Sequence, residues 1–350
     1  MKTIIKKTSV DNIDMDTINQ AGEIIRQGGL VAFPTETVYG LGADALNEEA
    51  AAKIYAAKGR PSDNPLIAHI ADLEMLKPLV EEIPPVAEKL MDAFWPGPMT
   101  LIFNKSNLVP KGTTGGLDTV AVRYPNHPIA QALIKAAGVS IAAPSANLSG
   151  KPSPTLGEHV IDDMDGRIDM IIDGGMVGMG LESTIIDVTV NPPMILRPGF
   201  ITYEMVKEIV PDATEDRTIF TKPTKEFKPK APGMKYRHYA PKANLTIVSG
   251  EAGAVIERIN ALTQEHQQKG EKVGIICTDE SRSQYVGDVI KSTGSRQDED
   301  SIAQHLYAIL RDFDDMDVDV IFSESFATPR IGHAIMNRLL KAAGHQVIEV

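Results

Sequence analysis

The chain has 350 residues, of which 43% are hydrophobic and 23% charged, and its formal net charge at pH 7 is −12. That length is sufficient for two domains with separate cores, and the acidic balance argues against a protein built mainly to coat nucleic acid or anionic membranes. The single cysteine, Cys277, excludes an internal disulfide framework, and no apolar run reaches the roughly 18 residues of a membrane span. We therefore expect a cytoplasmic protein.

Apolar, β-rich runs alternate with helix-period patterns over residues 1–210, which predicts an α/β domain built on a mixed sheet. Helical patterns cover Met15–Gln27, Glu48–Lys58, Asp72–Val80, Val86–Phe94 and Pro128–Ala137. Strand patterns cover Gly29–Phe33, Leu66–Ile70, Met99–Phe103, Thr119–Arg123, Val139–Ala143, Met170–Asp173, Ser183–Val188 and Met194–Arg197. The short interval between the last two strands predicts that they pair antiparallel.

Periodicity fades over residues 211–244, where Thr, Pro, Lys and Glu dominate, so we predict a linker there. The linker ends in an aromatic and basic stretch, PGMKYRHYAP (232–241). Residues 245–350 then alternate again, which predicts a smaller, Rossmann-like doubly wound domain with Cys277 buried in a strand. Its strand patterns are Leu245–Val248, Lys272–Cys277, Val318–Phe322 and Gln346–Val350, and its helical patterns are Gly253–Gln267, Ile302–Phe313 and Ile331–Ala343.

Polar side chains follow the first buried strand in the segment PTETVYGLG (34–42). Ligands in α/β proteins bind at such strand ends, and Thr35, Thr37 and Tyr39 would share one side if the segment stays extended. A structural turn with threonines that cap a helix fits the same spacing.

Two cations flank a glycine where the second predicted helix ends, in the segment KGRP (58–61). Lys58 and Arg60 have the donors that a polyphosphate needs, and no Gly-rich phosphate loop is present in the sequence. Ser145 and Asn147 follow a later strand and would add neutral donors. The simpler interpretation is a lysine in the last helical turn, a glycine cap, and a Ser/Asn turn.

Other polar residues lie in or at the ends of strands, where each has an ordinary structural explanation. His69 lies among apolar neighbours and fits a satisfied interior histidine as well as a ligand-binding one. Arg123 and Arg197 end their strands and fit surface charges, and Ser183 fits the first residue of a strand.

Taken together, these residues resemble the YrdC-type threonylcarbamoyl-AMP synthases in their long, two-domain form, and the resemblance covers nearly the whole chain. The matching segments are PTETVYGLG (34–42), KGRP with NPL (58–66), WPGPMT (95–100), LDTVAVRYP (117–125), APSAN (143–147), LEST (181–184), LRPG (196–199), PGMKYRHYAP (232–241) and GHAIMNRLLKAAG (332–344). The resemblance implies a twisted mixed sheet with helices in the first domain.

The resemblance also implies a reaction in which L-threonine, bicarbonate and ATP, with Mg²⁺, give threonylcarbamoyl-AMP and pyrophosphate. The product supplies a tRNA-modifying transfer complex, so tRNA is an indirect partner. The catalytic signature of the family falls on Lys58, Arg60, Ser145 and Asn147. The ATP contacts it implies are Arg60, Asn64, Thr119, Ser145, Ser153, Arg197 and one of Tyr236 and Tyr239 in a linker that acts as a lid. The threonine contacts it implies are Thr37, His69, Arg123, the backbone of Ala143, and Ser183.

Two other functions compete with this one. A double-stranded RNA-binding module would use a basic concave face, but it would not need Thr37, His69 and Arg123 together. A carbamoyl-transfer enzyme of hydrogenase maturation uses a related domain, but it also carries Cys-rich zinc segments, which a chain with one cysteine lacks.

Overall fold

A computed structural model of the chain describes residues 2–219, 221, 229–232, 234, 238–326 and 329–350. The chain forms two compact units, which are Met1–Ser149 with Ser153–Lys235, and Gly150–Pro152 with Tyr236–Val350. The change from one unit to the other thus falls inside the segment 211–244. Among the described residues, no helix is long and apolar enough to cross a membrane.

The first unit is built on an eleven-stranded mixed sheet in the order β1-β8-β2-β3-β7-β4-β6-β5-β9-β10-β11. Its strands are β1 Ile4–Lys7, β2 Val31–Phe33, β3 Gly40–Asp44, β4 Ile67–His69, β5 Met99–Asn104, β6 Thr119–Arg123, β7 Ile141–Ala142, β8 Met170–Asp173, β9 Thr184–Asp187, β10 Met194–Arg197 and β11 Thr214–Glu215. Its helices are α1 Met15–Arg26, α2 Glu48–Lys58, α3 Pro85–Phe94, α4 Lys111–Thr114, α5 Pro128–Ala137, α6 Gly157–Met164 and α7 Tyr203–Ile209. The predicted antiparallel pairing of β9 with β10 is confirmed.

Several elements of this unit differ from the sequence prediction, which also did not include β1, α4, α6 and α7. The predicted helix Asp72–Val80 is wrong, because the segment forms only a 3-10 turn at Leu73–Met75. The sequence pattern did not predict strand β3, which is rich in small residues. These residues pack closely against neighbouring strands, since a Cβ at Gly42 would lie only 2.7 Å from Ile141 Cγ2. Strand β11 lies within the segment predicted as linker and pairs with β10.

The second unit carries a five-stranded sheet in the order β14-β13-β15-β12-β16, and every pair of neighbours in it is parallel. Its strands are β12 Asn244–Ser249, β13 Val273–Cys277, β14 Val289–Ser292, β15 Val320–Glu324 and β16 Val347–Glu349, and its helices are α8 Ala252–Gln268, α9 Glu299–Asp315 and α10 Gly332–Ala342.

The crossovers of this sheet run in both directions, because α8 leads from β12 towards one edge whereas α9 and α10 lead back towards the other. Crossovers of one hand then lie on opposite faces, which is the predicted doubly wound arrangement. Cys277 is buried in β13 as predicted, and burial raises the pKa of its thiol to about 12.

Candidate functional site

The segment between β2 and β3 is a tight turn, so the condition of an extended segment, under which Thr35, Thr37 and Tyr39 would share one side, is not met. The N–H of Thr35 donates to the carbonyl of Val38 at 3.3 Å, and its hydroxyl donates to the same oxygen at 2.6 Å. The Tyr39 side chain is buried in the core, where its hydroxyl donates to the carbonyl of Gly175 at 2.6 Å. Thr35 and Thr37 remain together, with 2.9 Å between their hydroxyl oxygens.

Arg123, at the end of β6, contacts this turn and fixes it to the sheet. Its Nη1 donates to the Thr37 hydroxyl at 2.8 Å, and its Nε donates to the carbonyl of Gly97 at 3.3 Å. Its Nη2 lies 2.7 Å from Oε1 of Glu36 in a buried ion pair. Three elements of the fold therefore fix the guanidinium.

Glu36 is the site residue that the sequence prediction missed. It stands between the two threonines of the quoted motif, but only its pairing with Arg123 distinguishes it from a solvated turn carboxylate. The backbone N–H of Asn126 donates to its Oε1 at 2.9 Å. Burial favours the neutral acid, but Arg123 and the Asn126 N–H together outweigh burial, so the pKa of Glu36 lies below its ordinary value.

His69 ends β4, beside Arg123 in the parallel register of β4 and β6. Its Nδ1 lies 3.0 Å from the carbonyl oxygen of Ile67, so this nitrogen is the donor and the ring is fixed. Burial, and then the charge of Arg123, lower the pKa of His69 to about 3. The imidazole is therefore neutral at physiological pH.

Ser183 is fixed by two neighbours, one of them a residue predicted to bind ATP. Its hydroxyl lies 2.8 Å from that of Thr100, which faces Arg123 in the register of β5 and β6. Arg197 donates to the Ser183 carbonyl from Nε at 3.0 Å and from Nη2 at 2.9 Å. The backbone of Ala143, the fifth predicted threonine contact, donates to the Ile67 carbonyl at 2.8 Å. The structure thus gathers the predicted threonine residues at neighbouring strand ends.

Lys58 joins the end of α2 to the loop that carries Ser145 and Asn147. Its Nζ donates to the backbone carbonyls of both residues at 2.5 Å, and the side chain is buried. The αL conformation of Gly59, with φ +62°, ends the helix and allows this approach. The Ser145 hydroxyl in turn donates to Oδ1 of Asn147 at 2.5 Å. Lys58, Ser145 and Asn147, three of the four signature residues, therefore form one hydrogen-bonded unit.

Arg60 is half-buried and turns back onto its own loop. Its Nη2 donates to the carbonyls of Asn64 and Pro65 at 3.3 and 3.2 Å. Asn64 is buried, and its side-chain oxygen has no hydrogen-bond partner among the described residues. These two predicted ATP contacts are therefore neighbours, and the amide of Asn64 keeps an acceptor available.

The remaining predicted ATP contacts are more widely spread. Thr119 begins β6, about 13 Å along the strand from Arg123 at its other end. Ser153 is buried and donates to Oε1 of Glu182 at 2.6 Å. Tyr239 belongs to the second unit, where it stacks on Tyr307 with 5.0 Å between ring centroids. Tyr236 lies outside the described residues, as do Gly233, Lys235 and Arg237 of the same linker segment.

Comparison with known proteins matches two family models to the chain. Residues 23–199 match a family model described as "Telomere recombination", and residues 201–344 match one described as "Threonylcarbamoyl-AMP synthase, C-terminal domain". The chain is 51% identical over 332 residues to the threonylcarbamoyl-AMP synthase of Bacillus subtilis (strain 168), a match that covers 95% of this chain and 94% of that relative.

The chain belongs to the threonylcarbamoyl-AMP synthase family. The Pyrococcus abyssi (strain GE5 / Orsay) synthase is 47% identical over 343 residues, which covers 97% of this chain and 98% of that one. The crystal structure of P. abyssi Sua5 complexed with L-threonine superimposes with a TM-score of 0.94 at 46% identity and 100% coverage of both chains. The family and the fold predicted from the sequence motifs are thereby confirmed, in the long two-domain form of these synthases.

Proposed function

We propose that this chain is an L-threonylcarbamoyladenylate synthase, which condenses L-threonine, bicarbonate and ATP into threonylcarbamoyl-AMP and pyrophosphate. The observation that carries the proposal is identity of 47% to 51% over at least 94% of the length of both this chain and two relatives named as threonylcarbamoyl-AMP synthases. A match of this extent includes both units and every motif singled out in the sequence.

The cluster around Arg123 supports the threonine half of the reaction. We assign the carboxylate of threonine to the guanidinium of Arg123, since planar arginine forks bind carboxylates with two parallel hydrogen bonds. Thr37, Ser183, the neutral ring of His69 and the backbone of Ala143 would line the remainder of the subsite. A dry, rigid pocket suits this chemistry, because the carbamate formed from threonine and bicarbonate decomposes in water.

The signature residues support the nucleotide half. An oxygen of the threonine carbamate attacks the α-phosphorus of ATP and pyrophosphate leaves, so negative charge grows on the leaving oxygens. Arg60 would stabilise that charge directly, with Asn64, Thr119, Ser153 and Arg197 holding the rest of the nucleotide. Lys58 would act in two ways, because its ammonium group adds positive charge and also fixes the loop of Ser145 and Asn147.

The residues present fit a Mg²⁺ ion that is bound mainly through the nucleotide. Within the described part of the chain, no three His, Cys, Asp or Glu side chains come together as metal ligands. Mg²⁺ commonly retains waters and bridges phosphates with few protein ligands, and when bound it would neutralise charge on the phosphates. The neutral donors Ser145 and Asn147 would still orient the nucleotide.

The proposed product is an activated threonylcarbamoyl group, so its acceptor is an enzyme complex that transfers this group to tRNA. We therefore propose a role in tRNA modification in the cytoplasm, with tRNA as an indirect partner. Tyr236 or Tyr239 in the linker would contribute to closure over ATP.

Release of pyrophosphate from ATP tests the proposal, measured with threonine and bicarbonate omitted in turn. We expect release only when both are present, together with incorporation of labelled bicarbonate into an adenylate detected by mass spectrometry. Pyrophosphate release that needs neither substrate would overturn the proposal and would identify a nucleotide hydrolase instead.

A further inference from the structure

Glu36 and Arg123 form an ion pair in which the carboxylate keeps one unbonded oxygen. The side chains are 10% and 5% exposed. Nη2 of Arg123 lies 2.7 Å from Oε1 of Glu36, whereas Oε2 of Glu36 is buried and has no hydrogen-bond partner among the described residues. A buried polar atom left in this condition is uncommon, and it offers an acceptor to a ligand.

The other ionisable groups facing the pair carry no charge at physiological pH. His69 and His127 both have a lowered pKa, in each case because of burial first, with the charge of Arg123 adding to it. Nδ1 of His127 is also buried without a hydrogen-bond partner among the described residues. The charges of this cluster are therefore one positive and one negative, and they cancel.

We propose that Glu36 determines the charge specificity of this subsite, by balancing Arg123 so that the subsite accepts a zwitterionic α-amino acid and discriminates against a simple anion. This inference rests on the proposed function, since it concerns how the amino-acid substrate is selected. Arg123 alone would attract any carboxylate, sulfate or phosphate. With Glu36 beside it, an anion without a positive group meets a repelling carboxylate, whereas the ammonium group of an amino acid is attracted to it.

The turn that carries Glu36 is held firmly enough for this role. The backbone carbonyl of Glu36 accepts from the N–H of Met179 at 2.9 Å, and that of Thr37 accepts from the N–H of Gly180 at 3.0 Å. With Asn126 on its side chain, Glu36 is fixed at both backbone and carboxylate. The negative charge therefore stays beside the guanidinium when a ligand arrives.

The test compares two ligands of nearly the same shape in the wild type and in Glu36→Gln. The ligands are L-threonine and 3-hydroxybutyrate, which is the threonine skeleton without its amine. Titration calorimetry of the full chain measures both affinities without requiring turnover. In Glu36→Gln we expect threonine to bind about tenfold more weakly, because its ammonium group loses the carboxylate that attracts it. We expect 3-hydroxybutyrate to bind about tenfold more tightly, because the carboxylate that repels it has been removed. Glu36→Asp, which keeps the charge, should recover part of the discrimination.

Asp187→Asn is the matched control. Its carboxylate is 2% exposed and ion-paired at 3.2 Å to the exposed Lys230, so its loss removes a buried charge in the same unit without touching the subsite. We expect Asp187→Asn to bind both ligands with the affinities of the wild type. We also expect the KM of ATP in Glu36→Gln to equal that of the wild type. Equal changes for the two ligands in Glu36→Gln, or none, would overturn the inference. A wild type that discriminates between the ligands but forms no adenylate would instead contradict the proposed function alone.

Discussion

Each unit of the molecule contains a buried glutamate beside an arginine, but the two pairs differ in how completely their atoms are bonded. In the second unit, Glu324 accepts from the hydroxyl of Tyr285 at 2.7 Å, from Nη2 of Arg296 at 2.6 Å and from the hydroxyl of Thr278 at 3.3 Å. Both carboxylate oxygens therefore have partners. In the first unit, Oε2 of Glu36 is buried and has no hydrogen-bond partner among the described residues.

This difference separates a structural network from a binding site. Burial, and then the charge of Glu324, raise the pKa of Tyr285, so its hydroxyl stays protonated and remains a donor. A network closed in this way stabilises the unit and leaves nothing for a ligand to complete. A buried polar atom without a hydrogen-bond partner costs free energy in the ligand-free protein, and a ligand that bonds to this atom removes the cost. Three changes would break or sharpen the contrast.

The largest effect is expected from Lys58→Met, which keeps an apolar stem and removes the ammonium group. The loop of Ser145 and Asn147 would lose both hydrogen bonds from Lys58, so we expect pyrophosphate release to slow by about a hundredfold or more. Lys53→Met on the same helix is the control, because Lys53 is exposed and, within the described part of the chain, donates to the Gly28 carbonyl alone, at 2.6 Å. Wild-type turnover in a folded Lys58→Met variant would remove Lys58 from the catalytic unit.

An intermediate effect is expected from Glu324→Gln, which opens the closed network in the second unit. We expect the free energy of unfolding to fall by about 2 kcal/mol, because Arg296 loses its charged partner while the Tyr285 hydroxyl can still donate. Threonine affinity should stay at the wild-type value. Chemical denaturation measures the first quantity and calorimetry the second. A variant of unchanged stability with weakened threonine binding would reverse the roles assigned to the two pairs.

The third effect, which is spread over several pH units, is a pH dependence of stability that arises from His69. Its pKa in the folded chain, about 3, lies below its ordinary value of 6.5, so the unfolded chain takes up the proton first as the pH falls. The contribution to stability is complete above pH 6.5 and is lost progressively between pH 6.5 and 3, with a slope of about 1 kcal/mol per pH unit.

Comparison of His69→Gln with the wild type isolates this contribution. Denaturant unfolding at pH 7 and pH 5 should give a smaller loss of stability for the variant, because glutamine does not titrate. The same slope in both proteins would mean that His69 is not the group responsible.

The sequence by itself determined the family and most of the regular elements. Helices such as Glu48–Lys58 carry their own signals, because Asn47 caps the first turn and Gly59 ends the last one. The central strands are apolar runs, and such a run indicates a strand whichever strands pair with it. The signature residues could also be found in the sequence, since Lys58, Arg60, Ser145 and Asn147 lie in short contiguous motifs.

Tertiary structure alone decided the features that depend on a partner distant in sequence. Strand β3 exists because β2 and β7 pair with it, and its small residues give no strand signal. Glu36 became a site residue only when folding placed Arg123, 87 positions away, against its carboxylate. A local pattern encodes backbone preference, but the charge and the unbonded atoms of a site follow from which strand ends the sheet brings together.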